Sequence, residues 1–128
     1  MDTRKLVIDT GVFIEFLRAK DKTQTLLFRI SPTSGLFISG VTYFELLTGA
    51  TTPEKKKDIE LLTEDLIILP FTEEVASKAA DVYHQLRKDN KMIEFRDIFI
   101  AATCLVNDAD ILTLNRKHFE RVSGLTVK

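Results

Sequence analysis

The chain has 128 residues, enough for one domain and too few for two ordinary ones. Hydrophobic residues make up 45% of it and charged residues 29%, the balance of a globular chain and not of a disordered one. With 18 Lys and Arg against 19 Asp and Glu, the net charge of −1 excludes any global attraction to nucleic acid or anionic membrane, so a basic binding surface has to be local.

Leu6-Val7-Ile8 is a short apolar, mostly β-branched run that ends in Asp9-Thr10-Gly11, the pattern of a buried strand and a turn. Val12 to Leu17 reads as a helix and Thr23 to Ile30 as a second one. A loop is expected over Pro32 to Gly35, then strand two over Leu36 to Ser39. Val41 to Leu47 reads as a helix closed near Gly49. Thr52-Pro53-Glu54 carries an N-cap, a proline at the first helical position and early negative charge, so a helix should run from there to about Leu62. Leu66 to Leu69 reads as strand three, stopped by Pro70. Thr72-Glu73-Glu74 opens the longest helix, with Val75, Ala79, Val82, Tyr83 and Leu86 on one face. Ile98 to Val106 is apolar on almost every side and should be a buried helix, opened by Asp97. Ile111 to Thr113 reads as strand four, and Leu125 to Val127 as a short fifth. Strands alternating with helices predict an α/β fold, a parallel sheet covered on both faces.

The one cysteine, Cys104, allows no intrachain disulfide and suits a reducing compartment; its apolar neighbours place it in the core. The apolar segment after Met1–Lys5 is shorter than a signal-peptide core, and no run approaches membrane-spanning length. The expectation is a single cytoplasmic domain over residues 1–128, with no membrane association.

In such a sheet, ligands bind beyond the carboxyl ends of the strands. Asp9 follows strand one, Glu45 lies early in the helix after strand two, Asp97 opens the helix that leads into strand four, and Asn115 follows that strand. Topology alone brings these four side chains to one edge. Hard oxygen donors of this kind suit Mg2+ or Mn2+, and a divalent cation relieves the repulsion among three carboxylates. Such an ion activates water against a phosphodiester. Each residue also has a structural reading. Asp9 can cap the next helix, Thr42-Tyr43-Phe44-Glu45 matches a capping box, Asp97 can be an ordinary first-turn acid, and Asn115 can be an N-cap. Asp110 is a reserve candidate for metal contact, and His84 and His118 read as surface residues.

Val7-Ile8-Asp9-Thr10-Gly11-Val12-Phe13-Ile14 resembles the opening motif of PIN-domain proteins. Val41 to Gly49 resembles their second motif, Asp97-Ile98-Phe99-Ile100-Ala101-Ala102-Thr103 their third, and Leu112-Thr113-Leu114-Asn115-Arg116-Lys117-His118-Phe119 their fourth. Order, spacing and length are similar to those of VapC-type toxin ribonucleases over essentially the whole chain. The resemblance implies a three-layer α/β/α PIN-like fold with a central parallel sheet of four to five strands, and Mg2+- or Mn2+-dependent cleavage of RNA. It also implies a homodimer and a VapB-type antitoxin whose tail occludes the site. Asp9, Glu45 and Asp97 match the acidic metal positions, Asn115 the fourth, and Thr10 and Thr113 hydroxyl positions that support the carboxylates. Arg96, Arg116 and Lys117 flank the site and are candidates for the RNA backbone. Three departures stand out: Gly11 where Ser or Asn is common, Glu94 in place of a Gly, and Phe95 in place of an acid. The alternatives are a non-catalytic RNA- or protein-binding module of the same fold, or a housekeeping nuclease.

Overall fold

A computed structural model describes residues 4–30 and 35–128. Leu6, Val7 and Ile8 lie in the first strand, β1 (Lys5–Ile8), and all three are buried, as a central strand covered on both faces requires. Successive side chains point to opposite faces, so one strand feeds two cores. Val7 packs with the core beneath the helices α4 (Glu73–Lys88) and α5 (Phe95–Val106). Leu6 and Ile8 pack with the core beneath α1 (Thr10–Arg18), α2 (Gly40–Gly49) and α3 (Pro53–Thr63). The result is three layers, helices on either side of a sheet.

The sheet has four parallel strands in the order β3-β2-β1-β4, with β2 at Gly35–Ser39, β3 at Ile67–Leu69 and β4 at Ala109–Leu112. The chain moves outward from β1 through β2 to β3, then crosses back to place β4 on the other side of β1. The order therefore reverses at β1, and a crevice opens beyond the carboxyl ends of β1 and β4. The register pairs Ile8 with Leu112, so the residues that follow, Asp9 and Thr113, emerge side by side into that crevice.

Helix α3 starts as the sequence predicts, with Thr52 as N-cap accepting from the Lys55 N–H and Pro53 in the first turn. Helix α4 likewise has Thr72 as N-cap, acids in its first turn, bases in its last, and Val75, Ala79, Val82 and Leu86 buried. Three expectations change. The helix expected at Thr23–Ile30 is a 3-10 turn at Lys22–Gln24 followed by hydrogen-bonded turns. Glu15 of α1 explains it: its carboxylate accepts the Leu26 N–H at 2.8 Å, the donor a helix would have sent to the carbonyl four residues back. The fifth strand reduces to a single parallel bridge between Ile111 and Val127. A short helix not foreseen, α6 (Arg116–Phe119), is pinned by the fully buried Phe119. Of the predicted loop at Pro32–Gly35, all but Gly35 lies outside the described residues.

Candidate functional site

Asp9 sits where β1 becomes α1. Its extended backbone ends the strand, its N–H donates to the Leu112 carbonyl of β4 at 2.9 Å, and its Oδ1 accepts the Thr10 N–H at 2.8 Å as the cap of α1. The cap uses one carboxylate oxygen. The other, Oδ2, accepts the Thr113 hydroxyl at 2.8 Å, and the same Thr113 Oγ1 accepts the Asn115 N–H at 2.9 Å. The side chain thus does both jobs weighed for it, capping α1 and facing the crevice.

Glu45 does not close a capping box. The N-cap of α2 is Ser39, whose hydroxyl accepts the Thr42 N–H at 3.1 Å, so α2 begins three residues earlier than a box at Thr42 needs. That frees Glu45, one turn further in, to point across to α1. Its Oε1 accepts the Thr10 hydroxyl at 2.7 Å, and Thr10 Oγ1 also lies 3.0 Å from Thr42 Oγ1. Ser39, Thr42 and Thr10 form a buried chain of hydroxyls that ends on Glu45, and Thr113, buried as well, stands separately against Asp9. The sequence motifs point to Thr10 and Thr113; Ser39 and Thr42 emerge only from the packing of α2 on α1.

Asp97 lies in the first turn of α5, is 2% exposed, and shares the edge with Asp9. Between the carboxylates stands Arg96. Its Nε donates to Glu45 Oε2 at 2.6 Å, its Nη2 to Glu45 Oε1 at 3.0 Å and its Nη1 to Asp97 Oδ1 at 2.7 Å, with Asp9 Oδ1 at 3.9 Å from Nη2. The structure therefore places Arg96 inside the acidic cluster. Arg116 lies outside it, near Glu120 and the Val127 carbonyl, and Lys117 is exposed on α6. Asn115 forms no side-chain cap; its Nδ2 meets His118 Nδ1 at 2.7 Å, and that nitrogen is 3.6 Å from Asp97 Oδ2. His118 joins the site because it is three residues from Asn115 on the same helix face. Asp110 is remote: it lies near the amino end of β4 and bonds Arg4 at 2.7 Å, with Lys128 at 3.7 Å.

Burial raises the Asp9 carboxyl above its ordinary range, against the hydrogen bonds from Thr113 and Thr10. Burial likewise raises Asp97, with Arg96 opposing and Asp9 adding repulsion. Glu45 is desolvated too, but the hydrogen bonds from Arg96 and Thr10 outweigh that and hold it below its ordinary range. The hydrogen bond to Glu45 pushes the Arg96 guanidinium up, so it stays charged.

Asp9, Thr10, Glu45, Arg96, Leu114 and Asn115 line an open cavity of about 390 Å³ at this edge. In chemistry the donors suit a hard divalent cation: carboxylate oxygens, amide and hydroxyls, with no thiolate. In spacing, no group of three Asp, Glu, His or Cys side chains among the described residues is gathered tightly enough to clasp an ion. A guanidinium stands there instead. Cys104 is buried in the core, its thiol pushed up by desolvation, and takes no part. No helix among the described residues is long and apolar enough to cross a membrane.

Residues 6–125 match the PIN domain family model. The chain is 33% identical over 129 aligned positions to Ribonuclease VapC1 of Rickettsia felis, covering 95% of this chain and 93% of that one. It is 27% identical over 124 positions to Ribonuclease VapC1 of Methanocaldococcus jannaschii, covering 97% and 85%. Its fold superposes on VapBC-1 from nontypeable Haemophilus influenzae with a TM-score of 0.82, at 27% identity and 96% coverage of both chains.

Proposed function

This chain belongs to the PIN domain family, and from that premise we propose that it is a metal-dependent endoribonuclease, the toxin of a toxin–antitoxin pair. The observation that carries the reading is the convergence of Asp9, Glu45 and Asp97 at the topological switch point of the sheet, in a chain similar throughout to ribonucleases named VapC.

Asp9 and Asp97 would hold Mg2+ or Mn2+ most directly, with Glu45 and Asn115 completing the surroundings. When bound, the ion supplies charge neutralisation and an acidified water for attack on phosphorus. The chain's own residues supply position. Thr113 fixes Asp9, Thr10, itself bonded to Thr42, fixes Glu45, and the end of β1, the middle of α2 and the first turn of α5 carry the three acids. In-line attack by water on the phosphodiester breaks the bond to the 3′ oxygen, leaving a 3′-hydroxyl and a 5′-phosphate. Arg116 and Lys117, exposed on α6, would meet the RNA backbone in a chain whose overall charge offers it nothing.

The partner we assign is a VapB-type antitoxin, as in the similar VapBC-1. An apolar groove of about 390 Å³ runs from Glu45 between α1, α2 and α3, lined by Ile14, Leu17, Leu46 and Ile59 with Lys55 and Asp58 at its rim. It suits an amphipathic segment laid across the mouth of the site. A second copy of the chain is the other partner. Phe71 and Phe99 meet edge to face at 5.0 Å, Phe95 and Tyr83 continue the cluster, and Phe71 and Phe95 are exposed, a patch that supports a homodimer.

Incubation of the purified chain with single-stranded RNA and Mn2+, followed by analysis of the product ends, tests the reaction. New 5′-phosphate ends are expected; intact RNA, or ends bearing a 2′,3′-cyclic phosphate, would overturn it.

A further inference from the structure

We propose that Arg96 is an internal counter-ion that competes with the divalent cation for Asp9, Glu45 and Asp97, so that loading the site means displacing its guanidinium. The proposal rests on the metal reading above and deepens it.

The geometry makes Arg96 a rival and not a bystander. Its Nε and Nη2 take both oxygens of Glu45, and its Nη1 takes Asp97 Oδ1. Asp9 Oδ1 accepts the Thr10 N–H and also lies 3.9 Å from Arg96 Nη2, Asp9 Oδ2 accepts the Thr113 hydroxyl, and Asp97 Oδ2 faces His118, with each carboxylate oxygen keeping a second lone pair. The guanidinium thus holds both oxygens of Glu45 and one of Asp97 by hydrogen bonds, and Asp9 by charge alone. An arginine fork on carboxylates forms the strong, charge-assisted class of hydrogen bond. A divalent cation seated among the same oxygens would repel the guanidinium as well as contend for its acceptors.

Arg96 is also free to leave. It sits in the first turn of α5, its side chain is 34% exposed, and it borders the open cavity at the site. Rotation about its side-chain bonds carries the charge outward without moving α5. Three carboxylates crowded at one edge repel one another at neutral pH, and a cation among them relieves that repulsion. Arg96 fills that need before an ion arrives, then becomes a free positive charge at the mouth of the site once one has.

The test is Mn2+ binding to the full-length protein, followed by calorimetry and by the electron paramagnetic resonance signal of free Mn2+. It compares the wild type with Arg96→Gln, Arg96→Lys and Asp9→Asn. Removal of the fork should tighten Mn2+ by about tenfold or more, the worth of a single charge-assisted hydrogen bond in an equilibrium constant. Arg96→Lys keeps the charge but not the fork, so it should fall between, and it stands in if the glutamine variant does not fold. In EDTA, Arg96→Gln should melt below the wild type, with the gap closing as Mn2+ saturates. If the wild type binds Mn2+ and neither Arg96 variant binds it more tightly, the counter-ion role is wrong and the metal site stands. If neither the wild type nor Arg96→Gln binds Mn2+, or Asp9→Asn binds it undiminished, both readings fall together.

Discussion

Thr113 is the residue whose removal speaks most directly to how the fold holds Asp9. It is buried, donates to Asp9 Oδ2 at 2.8 Å and accepts from the Asn115 N–H at 2.9 Å. Valine has nearly the same shape and neither function. A hydrogen bond to a charged group contributes about 1.5–3 kcal/mol, and the added methyl group returns at most about 0.8 kcal/mol. The Asn115 N–H lies at an exposed residue, where water can replace the lost acceptor. The expected net loss for Thr113→Val is therefore about 1–2 kcal/mol, which lowers Tm by roughly 4–8 °C in a domain of this size. The loss also has a pH signature. The folded pKa of Asp9 lies above its ordinary 3.8, so its contribution to stability is full below 3.8 and is lost as pH rises through the folded value. Thr113 holds that folded value down, and valine lets it rise further. The deficit of the variant should be widest near neutral pH and shrink on acidification. Thermal unfolding in EDTA, at neutral pH and at the lowest pH where the fold persists, measures it. A deficit that grows in acid, or none at neutral pH, would refute the hydrogen-bonding scheme around Asp9.

Gly11 lies in the first turn of α1 with nothing within 4 Å of where a Cβ would stand. Gly11→Ala should therefore stabilise the protein by about 0.5–1 kcal/mol through helix propensity alone, read as a higher urea midpoint. Mn2+ at about 100 times its dissociation constant should stabilise the wild type by about 2.7 kcal/mol. Asp97→Asn should abolish that stabilisation while keeping its fold by circular dichroism, and a gain of the same size in the variant would place the ion elsewhere.

Much of the site was readable because it depends on strand ends. The buried run Leu6-Val7-Ile8 stops at a polar residue, and a parallel sheet sends the carboxyl end of every strand to the same edge. That logic places Asp9, Glu45, Asp97 and Asn115 together without any knowledge of contacts. The errors fall where a side chain from another element overrules a local pattern. Thr42 and Glu45 have the spacing of a capping box, but Ser39 starts α2 earlier, and nothing local distinguishes a Ser that ends a strand from one that caps a helix. Thr23–Ile30 has a helical look, yet Glu15 takes the Leu26 N–H across eleven residues. Arg96 is the sharpest case. As a base that flanks Asp97 in sequence it reads as a contact for the RNA backbone. Its place among three carboxylates depends on how α2 and α5 approach one another, a tertiary distance that no periodicity in the chain encodes.

The central claim is that Asp9 and Asp97 make this edge a metal-dependent ribonuclease site. It is tested most directly by RNA cleavage with the wild type in Mn2+, the wild type in EDTA, and the Asp9→Asn and Asp97→Asn variants in Mn2+. The account predicts cleavage in the first reaction alone, with both variants folded and slowed by about a hundredfold or more, the scale on which removing a key charge-stabilising group acts. Undiminished cleavage in EDTA, or by either folded variant, would contradict it.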